Sequence, residues 1–433
     1  MLEPNLTIKK RATTWLRIDA VTSLTIYIVL LYCIPSDRRI SALGGAGSLA
    51  TLFAILLLLW WCWHHLQRPD PWSSTRFQPV RTAGFVFAGV ALASYSTSSQ
   101  MALPGTDASV ADMGLIRVAG LVGILLISND GIRDEARFLT LIRRFCVLIG
   151  VYALLGLVQF FTETSYVDAI QIPGLASTGV SGVELRGGFA RADATAMHPL
   201  EYAAVMALVL PFCLALAIYD KKSSALVRWF PVAAITFSTI LSVTRSALIG
   251  VLAVFVVMFP TWPRKIRRLM GAGIIGCGLL VYFLVPGMGG VISTMFFGED
   301  TSVESRVDGY DTVVAFSFVS PYFGRGFGTF LPSYRILDNQ YLVSLIDTGF
   351  IGLFALVSII FTAAYCGLRG RVQTIQQPLQ AVGIAFLASM IAGGLIFAFF
   401  DAFAFPQACN SLSLIAGLAG SYLNIVSKSS ELN

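Results

Sequence analysis

Charge is scarce in this chain: Asp, Glu, Lys and Arg make up 12% of its 433 residues, against roughly a quarter in an ordinary soluble domain. Histidine is scarcer still, with three in all. The seven cysteines (Cys33, Cys62, Cys146, Cys213, Cys277, Cys366, Cys409) fall one per apolar stretch, with no C-x-x-C pair and no metal-like spacing to the histidines. Neither a disulfide framework nor a metal site is expected. The series Gly324, Gly326, Gly328 lacks the Lys-Ser/Thr that follows a P-loop and has no βαβ setting, so it reads as a tight turn with close backbone packing. No soluble catalytic domain and no duplication of one half in the other can be found. Nothing in the chain calls for a cofactor.

What is present is hydrophobicity. With 56% hydrophobic residues and a mean hydropathy of +0.75, the chain reads as an all-α, polytopic integral membrane protein, a single membrane domain over 1–433. Apolar stretches able to cross a hydrocarbon layer of about 30 Å run 20–35, 41–62, 82–97, 113–128, 145–162, 199–218, 229–243, 246–260, 270–286, 349–367, 380–400 and 407–425. That predicts about twelve transmembrane helices. The third is short and rich in Ser, and the seventh and eighth meet at Ser242-Val243-Thr244-Arg245-Ser246. Lys9, Lys10 and Arg11 precede the first apolar run as a signal peptide's opening would, but no small-residue cleavage site follows, so the run is read as a retained helix.

Threaded with the N-terminus inside, the chain places 21 Lys and Arg on the inner side and eight on the outer, with Arg117 alone inside a span. This bias predicts that both termini are cytoplasmic. Trp60, Trp61 and Trp63 close the second helix as an interfacial belt. The net charge of +6 and pI of 9.0 come from basic residues scattered through short loops, which argues for orientation signals and against nucleic acid.

Every one of the six lysines falls inside, so the outer set (Arg38, Arg39, Arg186, Arg191, Arg245, Arg306, Arg325, Arg335) contains no lysine. Loop bias does not explain that. Arginine offers a planar, weakly hydrated fork that matches phosphate oxygens two at a time, and this points to an anionic, phosphorylated substrate.

Two outer loops, 163–198 and 287–348, are long enough to carry function. The second holds Val307, Tyr310, Val314 and Phe318 at helical spacing, which predicts an amphipathic helix over 304–319, lying on the membrane or over a cavity and ended by Pro321 and the glycine series. In the first, Arg186, Arg191, Asp193, His198 and Glu201 converge on the mouth of the sixth helix. They also suit interfacial anchoring and capping, with Pro199 in the first turn. Arg245 lies between two apolar helices with no acidic neighbour in sequence, where a charge costs several kcal/mol unless it meets water, a carboxylate or an anion. Arg117 can snorkel or pair with Asp112 or Asp401. Asp338, a few residues before the tenth helix, suits a helix cap by spacing and a base by chemistry.

Taken in order, Arg186-Gly187-Gly188-Phe189, His198-Pro199, Thr244-Arg245-Ser246-Ala247, Pro321-Tyr322-Phe323-Gly324-Arg325-Gly326-Phe327-Gly328, Asp338-Asn339-Gln340-Tyr341-Leu342 and Asp347-Thr348-Gly349-Phe350-Ile351-Gly352-Leu353 resemble the O-antigen ligase and Wzy-type polymerase family over roughly 185–355. The resemblance implies an inverting glycosyl transfer outside the cytoplasmic membrane, from a polyprenyl-diphosphate-linked glycan to a hydroxyl of an acceptor glycan or lipid, without metal or nucleotide sugar. It implies that Arg186 and Arg245 grip the diphosphate and that Asp338 meets the acceptor. Arg191, Arg306 and Arg325 are expected to assist, with Glu201 and His198 as reserve bases. Ligases of the family carry His-Asn where this chain has Asp338-Asn339, which fits a polymerase-like member better. A transporter or flippase for lipid-linked oligosaccharide is the alternative; its charged groups belong near the membrane midplane, whereas these crowd one side.

Overall fold

The computed structural model describes residues 19–67, 77–101, 105–177, 182–186, 188–242, 244–287, 289, 290, 293 and 301–432. Among them run thirteen α-helices: α1 (Ala20–Cys33), α2 (Leu49–Leu66), α3 (Pro79–Gln100), α4 (Gly105–Asp130), α5 (Glu135–Thr162), α6 (Pro199–Tyr219), α7 (Ala225–Leu241), α8 (Arg245–Met258), α9 (Arg264–Leu284), α10 (Thr301–Ser317), α11 (Gln340–Gln373), α12 (Leu379–Ile396) and α13 (Pro406–Leu432). Short polar residues set several helix starts. Asp19, Ser48, Asp134 and Asn339 each accept a hydrogen bond from a backbone N–H of the first turn of α1, α2, α5 and α11.

Among the described residues, eight helices are long and apolar enough to cross a membrane: α2, α4 from Asp107, α5, α6, α9, α11, α12, and α13 as far as Ser429. The protein is therefore polytopic, and the described helices do not confirm the count of twelve. At 1.5 Å per residue, the 14 residues of α1 reach only about 21 Å; the apolar helices α7 and α8 are also short. Helix α3 has the length but not the hydropathy, because Ser94, Ser96, Ser98 and Ser99 fill its last turns. The second expected span also starts late: Ser41–Ala46 forms a 3₁₀ turn, and α2 begins at Leu49.

Helix α6 lies at the centre, walled by α7, α8 and α12, with nearly every side chain from Pro199 to Ala217 buried. Helix α9 is the least enclosed, burying only Met270, Cys277 and Val281. The helix ends sort into two faces. On one, which carries Lys221, Lys222, Lys265 and Lys428, Arg137 donates to Asp19 (2.9 Å from Nε), Trp61 to Asp130 (3.0 Å) and Asn424 to Gln78 (2.8 Å). On the other, the Ser36 N–H donates to Thr195 O (2.8 Å) and the Gln340 N–H to Phe397 O (2.8 Å). Two-residue ladders pair β1 (Arg38–Arg39) with β2 (Ala176–Ser177), and β3 (Leu185–Arg186) with β4 (Phe189–Ala190).

Helix α11 is kinked at Gly349, whose φ of 68° lies in the left-handed region. The chain at 321–328 packs into the kink: Phe350 and Ile351 donate to the carbonyls of Pro321 and Tyr322, and a Cβ on Gly349 or Gly324 would collide with the facing backbone. The glycine series is thus the tight turn expected. Its N–H groups are already engaged: Gly324 N donates to Ser320 O (2.9 Å), Gly326 N to Asp347 O (2.9 Å), and Gly328 N to the buried Asp347 carboxylate (2.7 Å), which also accepts from Phe330 N (3.0 Å).

Candidate active site on the lysine-free face

The β3–β4 hairpin carries Arg186 on its first strand and delivers Arg191 just after its second. Arg191 is buried. Its Nη1 donates to Glu184 Oε1 (2.7 Å) and its Nη2 to Thr244 Oγ1 (3.3 Å). Thr244 stands in the cap position of α8, but its hydroxyl donates to Ser242 O (2.9 Å) and receives Arg191, so the first turn of α8 has no side-chain cap. Arg245, expected between two helices, is the first residue of α8. A positively polarised helix start, Arg245 on it and Arg191 against it make a site suited to an anion. Arg186 sits close enough to Arg191 for the two charges to repel.

His198 caps α6: its Nδ1 accepts from Leu200 N (3.1 Å), while Nε2 lies 3.7 Å from Glu184 Oε2. Burial and the neighbouring Arg191 hold its imidazole below the ordinary histidine value. With Nδ1 occupied as an acceptor, the neutral ring carries its proton on Nε2 and is a donor there, which argues against His198 as base. Glu201 is less suited again. It is fully buried, with Oε2 accepting from Ser36 Oγ (2.9 Å) and Met197 N (3.0 Å) and Oε1 from Gln407 N. That carboxylate staples the loop after α1 to the starts of α6 and α13 and has no room for a sugar hydroxyl.

The cap of α11 is Asn339, whose Oδ1 accepts from Tyr341 N (2.9 Å) and Leu342 N (3.3 Å). Spacing had suggested Asp338 for that duty; the structure leaves the capping to its neighbour because Asn339 is the residue with extended backbone at the helix boundary. Asp338, half-buried, is near enough to His198 and to Asp401 for its charge to act on both. Asp401 is pushed up to about 6, chiefly by burial, with Arg117 opposing the shift and Asp338 adding to it.

Arg117 takes up the second of its expected partners. It faces Asp401 electrostatically and donates to Phe403 O, while Asp112 accepts from Tyr95 instead (2.7 Å). Arg39 donates to Met197 Sδ (3.5 Å) beside His198 and feels the charge of Arg117. Arg39, Arg117 and Asp401 thus join the cluster, though sequence reasoning did not place them among the site residues. Their signal was modest: one lysine-free arginine and one intramembrane pair.

Arg325 is placed differently. It donates to the buried Asp107 (2.7 Å) and lies 5.1 Å from the ring centroids of both Phe316 and Tyr334, whose hydroxyl also donates to Asp107 (2.6 Å). This clamp fastens α10 to α4 and removes Arg325 from the diphosphate set. Helix α10 forms where expected, but it buries Val313, with Phe316 packed alongside, and exposes Tyr310 and Val314, while Phe318, just past its end, is exposed too. Arg306 lies on α10, with its side chain outside the described residues.

The arrangement defines a class: a polytopic helical membrane protein with arginines and carboxylates gathered at the helix ends of one face. Residues 230–357 match the family described as O-antigen ligase, which bears out the resemblance read from the motifs. The match takes in Arg245, Arg306, Arg325, Asp338 and Asp347, and stops short of Arg186, Arg191, His198 and Glu201. It supports a membrane enzyme of glycosyl transfer in polysaccharide biosynthesis, acting on a lipid-linked glycan and an acceptor in a bacterial inner membrane. No curated protein matches the chain.

Proposed function

We propose that this chain transfers a glycan from a polyprenyl diphosphate to an acceptor sugar hydroxyl, with inversion and without a metal, on the outer face of the cytoplasmic membrane. The observation that carries the reading is the uncapped start of α8, with Arg245 on it and Arg191 bound to Thr244. As the acceptor oxygen attacks the anomeric carbon, the bond to the diphosphate breaks on the opposite side and charge builds on the leaving oxygen. Arg245, Arg191 and Arg186 stabilise that charge in a partly dehydrated site. The acceptor's proton passes to Asp338. Both termini then lie in the cytoplasm.

The test is a reconstituted assay on lipid-linked repeat units with Arg245→Ala and Asp338→Ala proteins of unchanged abundance. Chain growth is expected to fall at least about a hundredfold in each, and normal growth in both would overturn the assignment. A deletion strain separates the two finer activities: lipid-linked single repeats accumulate if a polymerase is lost, long lipid-linked chains if a ligase is lost. The asparagine that follows Asp338 caps α11, so the chemistry at this corner rests on an aspartate, and we infer the polymerase outcome.

A further inference from the structure

On the lysine face, a cavity of about 290 Å³ is lined by Ala20, Trp60, Trp61, His64, His65, Ile127, Asp130, Gly131 and Arg133. One wall is settled internally. Asp130 Oδ2 accepts from Trp61 Nε1 (3.0 Å) and Arg81 Nη1 (3.4 Å), its Oδ1 accepts from Asn129 (2.7 Å), and the His65 ring stacks on Trp61 at 3.9 Å. With the carboxylate so answered, the rim presents the exposed side chains of Arg133 and His64.

The cavity sits where α2 and α4 end and α1 begins, at the depth where a tryptophan belt meets headgroups. From Trp60 and Trp63 an apolar track continues along one face of α2 through Leu59 and Leu56, all four exposed. A cationic rim, an aromatic wall and an apolar track in line match three parts of one molecule: a phosphate, a glycerol backbone and an acyl chain.

We propose that this cavity holds the headgroup of an anionic phospholipid of the adjoining leaflet, with the phosphate at Arg133 and His64 and a chain along Leu59 and Leu56. The site is separate from the arginine cluster and does not depend on the reaction assigned there. The experiment uses full-length protein in detergent, delipidated and titrated with phosphatidylglycerol, phosphatidylcholine or glycerol phosphate, with bound lipid counted by native mass spectrometry. Phosphatidylglycerol is expected to bind roughly tenfold more tightly than phosphatidylcholine, and the preference to vanish in a His64→Gln/Arg133→Gln protein. Both side chains are exposed, so the variant keeps its fold. Equal binding of the two lipids, an undiminished preference in the variant, or competition by glycerol phosphate at matched concentration would each overturn the proposal, the last by showing an anion site that does not read lipid.

Discussion

Two carboxylates near the arginine cluster invite the role of base, and paired amide substitutions separate them. In Asp338→Asn the residue keeps its shape and loses its basicity. Helix α11 stays capped by Asn339, so stability is expected to hold. Loss of a general base typically lowers turnover about 10²–10⁴-fold, or about 3–5.5 kcal/mol of barrier. Glu201→Gln acts in the opposite way. Three donors converge on that buried carboxylate, two on Oε2 and one on Oε1. An amide has one accepting oxygen, so whichever way it turns its NH₂ meets an N–H, at about 1–3 kcal/mol for the stranded donor. Single-turnover transfer in proteoliposomes, normalised to folded protein, should be read beside thermal unfolding of the same preparations. The expected pattern is an unmoved midpoint with a rate loss of two decades or more for Asp338→Asn, and a lowered midpoint with a rate within tenfold of the parent for Glu201→Gln. The reverse pattern, a stable but inactive Glu201→Gln protein and an active Asp338→Asn protein, would refute the assignment of Asp338.

Arg325→Met strands the buried Asp107 carboxylate, a loss of about 3–5 kcal/mol; limited proteolysis should then cut within 301–339 faster, and Asp107→Asn in the same chain should restore part of the protection. Asp193, in the loop before α6, is pushed up from 3.8 to about 7, chiefly by burial, so in the folded state it keeps its proton until the pH approaches that value. The stability it lends is complete below the unfolded value near 3.8 and is lost as pH rises through about 7. The unfolding midpoint should therefore fall across that window, and less steeply in Asp193→Asn. Transfer should survive exhaustive chelation by EDTA unchanged; loss of activity restored by a divalent cation would contradict a metal-free reaction.

Hydropathy made the helices legible, because a hydrocarbon layer demands long apolar runs and little else. It misjudged length where packing inside the bundle substitutes for lipid. Helices α1 and α7 are too short to span alone, yet α1 buries Tyr27 and Tyr32 and α7 packs along α5. Motif order placed Arg245 and Asp338 on one face, and the family match covers both. Side-chain partners stayed hidden, since they depend on contacts across the chain. Glu201 meets Ser36 and Gln407, 165 and 206 residues away. The stripe on α10 was readable as a period but not as a direction, because Arg325 and Phe330, which turn Phe316 inward, arrive from beyond its end.

The arginines of the lysine-free face were equivalent in sequence, and burial of their partners is what sorts them. Arg191 and Arg325 both hold a carboxylate at 2.7 Å. Distance therefore decides nothing between them. Asp107, with 2% of its side chain exposed, has no water to return to if Arg325 leaves, whereas Glu184 is 48% exposed and can rehydrate. Breaking the first pair strands a charge in a low-dielectric interior; breaking the second releases one into solvent. If the donor is the diphosphate proposed above, it can therefore displace Glu184 from Arg191 at modest cost, with Glu184 holding the guanidinium in place until then. On this reasoning Glu184→Gln should tighten donor binding, while Asp107→Asn should loosen α10.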